Sequence, residues 1–224
     1  MANTTNPNQL IVEGWDDLFS VVGLMSAHVD WPEGKHSSPV FIHMGNGAEE
    51  ILKAGVLPTY LKGSIVKSFG VVIDADTKPK GRYESIRGLC RSLFPELPAE
   101  LPKNGIVVEN SDNKRFGVWI MPDNVSDGSI ETFLKYLVPQ PSVQIWDHAV
   151  KSTEGAVALG CPCNQSHLEK ARLYTWLSWQ DPPGQSPGMS LTKKILDPAN
   201  PSATSFVEWF RKLYQLPPRQ KLFT

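Results

Sequence analysis

The sequence predicts an α/β fold, with a mostly parallel sheet flanked by helices and followed by a helical C-terminal annex. Short apolar segments of strand length alternate with segments in which apolar residues recur at helical spacing. Such an alternation is typical of a parallel sheet built from βαβ units. Two of the predicted strands end in carboxylates, and ligands of these sheets lie beyond the carboxyl ends of the strands.

The first part of the chain supplies most of the sheet. The predicted elements are a strand at 9–14, a helix at 15–28, a strand at 40–44, a helix at 48–61, a strand at 69–73 and a helix at 83–94. Glycines end the first two strands, and a break before Pro58 is expected because proline disfavours a helical residue in front of it. Residues 32–39 are expected to form a polar loop and residues 78–81 a turn.

Two short strands, at 106–109 and 116–121, are predicted to form a hairpin because polar residues 110–113 join them. A hairpin at the edge of a parallel sheet makes the sheet mixed.

The character of the chain changes after Pro122. Helices are predicted at 129–137, with Ser129 as N-cap, at 166–179 and at 204–214. A packed annex is expected to contain four tryptophans, Trp146, Trp176, Trp179 and Trp209. The predicted organisation is an α/β domain at 8–138 and a helical extension at 139–224 packed on it.

Composition and charge exclude several classes of protein. The net charge of −1 gives no overall nucleic-acid signature, so a polyanion site must be a local patch. No apolar run approaches the ~20 residues of a membrane span, and residues 1–8 do not resemble a signal peptide. Three cysteines without such a signal indicate a reducing compartment, so a cytoplasmic protein is expected.

Other catalytic and metal motifs are weak. Cys161-Pro-Cys163 with His167 lacks a second ligand pair and the usual spacing of a zinc knuckle. The chain contains neither a serine-nucleophile elbow nor the phosphate-binding loop of an ATPase.

The strongest functional signal is a set of carboxylates at strand ends. Glu13 follows the first strand, and Asp74 and Asp76 follow the third. Oxygen donors without a nearby histidine suit Mg²⁺ or Mn²⁺ better than zinc. Aspartates two residues apart in an extended chain point to one side and repel each other unless a cation binds them. The alternative is that they cap a turn or a helix. Asp17 is either a further ligand or a favourable charge at a helix N-terminus.

Basic residues follow the aspartate pair and recur near the C-terminal helices. Lys78 or Lys80 can neutralise charge that builds up in a phosphoryl transfer, although such runs also form solvated helix faces. The candidates for binding phosphate or nucleic acid are Lys80, Arg82, Arg87, Lys170 and Arg172. The last two can equally cover the tryptophans with their aliphatic stems.

These motifs resemble the Toprim domain, and the chain as a whole resembles DUF3226, a stand-alone prokaryotic family of uncharacterised proteins related to OLD-type nucleases. The resemblance is carried by residues 10–14, 71–76, 117–124, 128–131 and 170–177. No topoisomerase tyrosine domain or primase zinc module is visible, which disfavours those two activities.

The resemblance implies Mg²⁺- or Mn²⁺-dependent phosphodiester chemistry on DNA or RNA, most simply by a nuclease. Glu13, Asp74, Asp76 and Lys78 would be catalytic, with Glu13 as metal ligand or general base. A second ion would be held by acids that include Asp17, Asp123, Asp127 and Glu131. Two alternatives stay open: an accessory subunit that binds phosphate beside a partner ATPase, for example in phage defence, and a small-nucleotide phosphohydrolase.

Overall fold

The computed structural model describes residues 5–32 and 37–220. The expected loop at 32–39 and the polar segment at 1–8 therefore lie partly outside the described residues. The described strands are β1 (Asn8–Val12), β2 (Phe41–Met44), β3 (Ser68–Asp74), β4 (Ile106–Glu109) and β5 (Arg115–Met121). They form one sheet in the order β2-β1-β3-β5-β4. The predicted α/β class is confirmed.

The sheet is parallel except at one edge. β1 pairs in parallel with β2 and β3, and β3 pairs in parallel with β5. β4 runs antiparallel to β5, which confirms the predicted edge hairpin. Because β1 and β3 are neighbours, Glu13 and Asp74 reach the same edge of the sheet.

Helices cover both faces of the sheet. They are α1 (Trp15–Met25), α2 (Ala48–Ile51), α3 (Val56–Leu61), α4 (Pro79–Cys90), α5 (Ile130–Lys135), α6 (Val143–Ala158), α7 (Leu168–Ser178), α8 (Pro187–Thr192) and α9 (Thr204–Tyr214). Side chains alternate along each strand, so Ile11 packs on the face that carries α4, whereas Leu10 and Val12 pack beneath the C-terminal helices. Among the described residues, no helix combines the length and apolar character needed to cross a membrane.

Several boundaries differ from expectation. α4 begins at Pro79 rather than Tyr83, because proline suits the first position of a helix and the expected turn becomes its first turn. The break in the second helical region falls at 52–55, so Pro58 lies in the first turn of α3. α6 and α8 were not predicted. Ser129 precedes α5 and closes a capping box, as expected.

The C-terminal helix α9 packs on the sheet where two strands carry glycine. Gly70 of β3 and Gly117 of β5 are paired in register, and a Cβ on either would come within 2.6 Å of Tyr214 or Leu213. The Tyr214 hydroxyl donates to the Gln9 carbonyl (2.8 Å), and Trp209 Nε1 donates to the Ile106 carbonyl (2.9 Å). α9 therefore completes the core beneath β1, β3 and β5.

The predicted tryptophan cluster is only partly correct. Trp146, Trp176 and Trp209 are buried, whereas Trp179 is 44% exposed and lies against His148. Trp179 is the C-cap of α7, where the helix face that packs on the core has ended. The boundary between domains at 138/139 stays a prediction.

Candidate acidic site at the carboxyl end of the sheet

Glu13 joins the ends of three segments at one edge of the sheet. Its Oε1 accepts a hydrogen bond from the Asp74 amide (2.7 Å), and its Oε2 accepts one from the Ala48 amide (3.0 Å). The carboxylate thus links the end of β1 to the end of β3 and to the start of α2. In this arrangement Glu13 organises the backbone of the site.

Asp17 both caps α1 and faces the site. Its Oδ2 accepts from the Gly14 amide (3.1 Å), which closes a capping box at the start of the helix. Its Oδ1 is buried and has no hydrogen-bond partner within the described chain. Of the seven buried side-chain atoms without a partner in the described residues, it is the one carboxylate oxygen, and a proton, a water or a cation would satisfy it.

Asp74 and Glu131 connect the sheet edge to α5. Asp74 Oδ1 accepts from the amide of Ile130, the first residue of α5 (2.9 Å). Glu131 Oε2 accepts from the Ser129 hydroxyl (2.7 Å), and the charge of Glu131 acts on both Asp17 and Asp74. Glu13, Asp17, Asp74 and Glu131 are called the acidic cluster below.

Burial and repulsion from neighbouring charges raise the pKa values of Asp17, Asp74 and Glu13. Desolvation, with the nearby charges of Glu13 and Glu131, raises the pKa of Asp17 from 3.8 to about 7. Burial first, and then Asp17 and Glu13, hold the pKa of Asp74 well above its ordinary value. Burial also raises the pKa of Glu13, against the two backbone hydrogen bonds that lower it. A cation in the cluster would remove this repulsion.

The cluster has donors for a hard cation, but they are not yet gathered around one point. Within residues 5–32 and 37–220, no three acidic, histidine or cysteine side chains lie in an arrangement that could hold a metal ion. Backbone amides occupy both oxygens of Glu13 and Oδ1 of Asp74. The described hydrogen bonds leave Asp17 Oδ1, Asp74 Oδ2 and Glu131 Oε1 as oxygen donors of the type that Mg²⁺ and Mn²⁺ prefer.

Asp76 lies at the margin of the cluster. β3 ends at Asp74, and Asp76 has a left-handed backbone (φ 52°), so the strand alternation that would align the two side chains stops between them. The exposed carboxylate pairs with Arg82 (Oδ2 to Nη2, 2.5 Å), and the Asp76 backbone forms a bridge with Gly128. Its charge still raises the pKa of Glu13. Metal binding by Asp76 stays a prediction.

Asp123 and Asp127 belong to the loop that follows β5. The Asp123 carboxylate accepts from the amides of Val125 (3.0 Å) and Ser126 (2.7 Å) and from the Ser126 hydroxyl (2.9 Å). Asp127 directly precedes Gly128, which pairs with Asp76. Neither carboxylate is joined to the acidic cluster by a described hydrogen bond, and their role as ligands of a second ion stays a prediction.

The predicted basic residues separate into two groups. Lys78 and Arg82 line a cavity of about 420 Å³ at the start of α4, with Asp76 and Ser85, and Lys80 is exposed in the first turn of that helix. Arg87 and Arg172 make structural contacts elsewhere: Arg87 Nε donates to the Leu97 carbonyl (3.3 Å), and Arg172 forms ion pairs with Glu154 and Glu169.

Residues of α7 form a further part of the site. Lys170 was predicted from the sequence, whereas its partners Asp16 and Tyr174 were not. Lys170 Nζ lies 2.6 Å from Asp16 Oδ2, and the Tyr174 hydroxyl donates to the same carboxylate (3.1 and 3.2 Å). Burial, with the charge of Asp16, raises the pKa of Tyr174 to about 12. Glu131 acts electrostatically on both Lys170 and Tyr174. Asp16 was not predicted as a site residue, because an acid in the first turn of a helix is ordinarily explained by the helix dipole.

Comparison with known proteins gives a family and no function. Residues 7–215 match the model of a family described as a protein of unknown function, DUF3226. No curated protein matches the chain, and no solved structure does.

Proposed function

The chain belongs to the DUF3226 family, and we propose that its acidic cluster serves Mg²⁺- or Mn²⁺-dependent phosphodiester chemistry on nucleic acid, most simply as a nuclease. The observation that carries the proposal is the buried, unpartnered Oδ1 of Asp17 among three other carboxylates. Buried carboxylates that repel one another are costly unless protons or a cation neutralise them. The likeness of the Glu13 and Asp74-Ala75-Asp76 motifs to the Toprim domain is part of this proposal, as is a cytoplasmic location.

The chemistry of the donor set suits a hard divalent cation, and binding would require the carboxylates to move closer together than they lie in the described residues. Asp17, Asp74 and Glu131 would hold it through oxygens that the described hydrogen bonds leave open, with Asp76 at the margin. When bound, the ion would polarise the phosphate and stabilise the leaving oxygen. Asp123 and Asp127 would take part only if a second ion binds.

The chain's own residues supply the remaining steps. Glu13 fixes the positions of the Asp74 and Ala48 amides, and burial raises the pKa of its carboxyl, which would favour it as a proton acceptor. Arg82 acts electrostatically on Glu13, and Glu131 acts on Lys170. These two cations, with Lys78 beside Arg82 in the cavity at the start of α4, would neutralise phosphate charge. Asp16 and Tyr174 hold Lys170 in place for this role.

Metal affinity is expected to rise with pH. Between pH 4 and 7 the folded, metal-free protein keeps a proton on Asp17 that the unfolded chain has lost, because the pKa is raised from 3.8 to about 7. Stability of the metal-free protein therefore falls as pH rises through this window, and a cation binding below pH 7 must displace the proton. At pH 5 the Mn²⁺ affinity should be about 100-fold weaker than at pH 8. Calorimetric titration at the two pH values checks this, and equal affinities would contradict it.

The function is tested by incubating the protein with single- and double-stranded DNA and RNA in Mn²⁺, Mg²⁺ or EDTA. The test variant is Asp17→Asn, which keeps an oxygen for the Gly14 amide while removing the charge. Cleavage that requires the metal and is lost in the variant is the expected result. An exposed acid far along the chain provides the matched control, Glu96→Gln. Cleavage that persists in EDTA, or in Asp17→Asn, would exclude the proposed mechanism.

The pairing of the local cations favours one alternative role. Arg82 is paired with Asp76 and Lys170 with Asp16, which reduces the positive charge offered to a long polyanion. This suits an accessory subunit that grips one phosphate through a cation beside a partner ATPase, for example in phage defence. Metal-dependent thermal stabilisation without cleavage of any of the four substrates would favour this role.

A further inference from the structure

The first helix presents a pair of exposed aromatic rings. Trp15 is 62% exposed and Phe19, one turn later, is 48% exposed. Their rings stack, with 5.7 Å between centroids and 14° between planes. Large aromatic side chains gain from burial, so an exposed stacked pair is an informative departure from an ordinary surface.

Trp15 lies close in sequence to two members of the acidic cluster. One residue separates Trp15 from Glu13, and one separates it from Asp17. The intervening Asp16 binds Tyr174 and Lys170 of α7. Lys170 Nζ lies over the Tyr174 ring, 5.8 Å from its centroid. The Tyr174 hydroxyl and the Lys170 ammonium thus contact Asp16, which follows Trp15 directly in the chain.

Exposed aromatic surface is concentrated at this edge. Among the described residues, the exposed aromatic side chains are Trp15, Phe19, Tyr174 and Trp179. Trp15 and Phe19 stack on each other, and Tyr174 is hydrogen-bonded to Asp16, the residue that follows Trp15. Trp15, Phe19 and Tyr174 are called the aromatic shelf below. Its composition differs from the remaining exposed apolar residues in the described chain, most of which are aliphatic.

We infer that the aromatic shelf stacks the unpaired bases of a single-stranded nucleic acid whose phosphate lies at the acidic cluster. This inference rests on the proposed function and names its substrate class. Every base has a flat π-face that can extend a ring stack, whereas bases in a duplex already stack on their neighbours. Aromatic rings beside a cation are the usual surface for single strands, and Lys170, which Asp16 pairs with and which lies over the Tyr174 ring, is the cation here.

A protein partner is the less favoured occupant. Phe19 also lines an apolar groove of about 860 Å³ with Val22, Trp31 and Phe41, and a protein would use that groove. Trp15 does not line it, whereas Trp15 adjoins the acids and Lys170.

The test is fluorescence anisotropy with a labelled twelve-nucleotide single strand, its duplex, and an abasic strand of the same length. Ca²⁺, another cation that prefers oxygen ligands, replaces Mg²⁺ so that binding is measured without cleavage of the strand. Trp15→Ala should weaken binding of the base-containing single strand by about 5- to 150-fold and leave the abasic strand unaffected. Trp15→Phe should retain most of the affinity. Trp179→Ala, an exposed tryptophan nine residues from Lys170 along the chain, is the matched control and should match wild type.

The outcomes separate this inference from the proposed function. Wild-type affinity of Trp15→Ala for the base-containing strand, while cleavage still requires metal, would overturn the inference alone. A Trp15-dependent affinity that is unchanged by EDTA would overturn the placement of the phosphate at the acidic cluster and count against the metal site. A changed sedimentation mass of Trp15→Ala with unaltered strand binding would assign the shelf to a protein interface. Absence of binding to every oligomer by wild type would overturn both.

Discussion

Asp74→Asn is expected to abolish metal-dependent cleavage and, at the same time, to stabilise the metal-free protein. The substitution keeps an oxygen that can accept from the Ile130 amide, so the link between β3 and α5 is preserved. It removes a buried negative charge that Asp17, Glu13 and Glu131 repel. Because the pKa of Asp74 is raised on folding, its ionised form destabilises the folded protein above pH 4, and a neutral side chain relieves that cost.

The two effects are measured together at pH 8. Cleavage in Mn²⁺ should fall by at least about 100-fold, since loss of an outer-shell partner alone typically costs 10–100-fold. The melting temperature in EDTA should rise, by about 2–4 °C for each kcal/mol gained, while Mn²⁺ should no longer raise it. Asp112→Asn, an exposed aspartate in the β4–β5 hairpin, is the matched control. A variant that is destabilised yet keeps the Mn²⁺ effect would disprove the assignment.

Trp209→Ala is expected to lower the free energy of unfolding substantially. The indole is 2% exposed, packs on the rings of Trp119 and Phe206, and donates to the Ile106 carbonyl. Truncating a buried tryptophan costs about 3–5 kcal/mol, a large part of the 5–15 kcal/mol that typically holds a domain folded. Thermal denaturation should show the melting temperature falling by about 6–20 °C.

Trp179→Ala is again the appropriate comparison, because an exposed tryptophan should contribute about 0.5 kcal/mol or less. A single unfolding transition in Trp209→Ala would mean that the sheet and α9 unfold as one unit. Two separate transitions, with the sheet melting as in wild type, would show instead that the sheet does not depend on α9.

The strands could be predicted well because their apolar segments are short and bounded by glycine or polar turns. β3 and β5 lie within one residue of the expected positions at each end. Helix α6 could not be predicted, because only three of its sixteen residues are buried: Trp146, Ala149 and Thr153. So sparse a buried face leaves little helical periodicity in the sequence.

The candidate site divides in the same way. The convergence of Glu13 and Asp74 follows from strand order, which βαβ logic supplies. The place of Glu131 depends on the Asp74–Ile130 hydrogen bond, and that of Lys170 on the packing of α7, which local sequence does not encode. Asp76 shows the limit of extrapolating a strand, because the backbone turns left-handed two residues after β3 ends.

The hydrogen bond from Tyr214 to the Gln9 carbonyl has a consequence for the order in which the protein is made. These residues are 205 positions apart, so β1 leaves the ribosome long before the helix that covers it. At about 5–20 residues per second, the face of β1 that carries Leu10 and Val12 waits ten seconds or more, on the order of the synthesis time of the segment between them. The face of β1 that carries Leu10 and Val12 therefore lacks α9 until translation is nearly finished, and a chain that ended before α9 would leave this face without that helix.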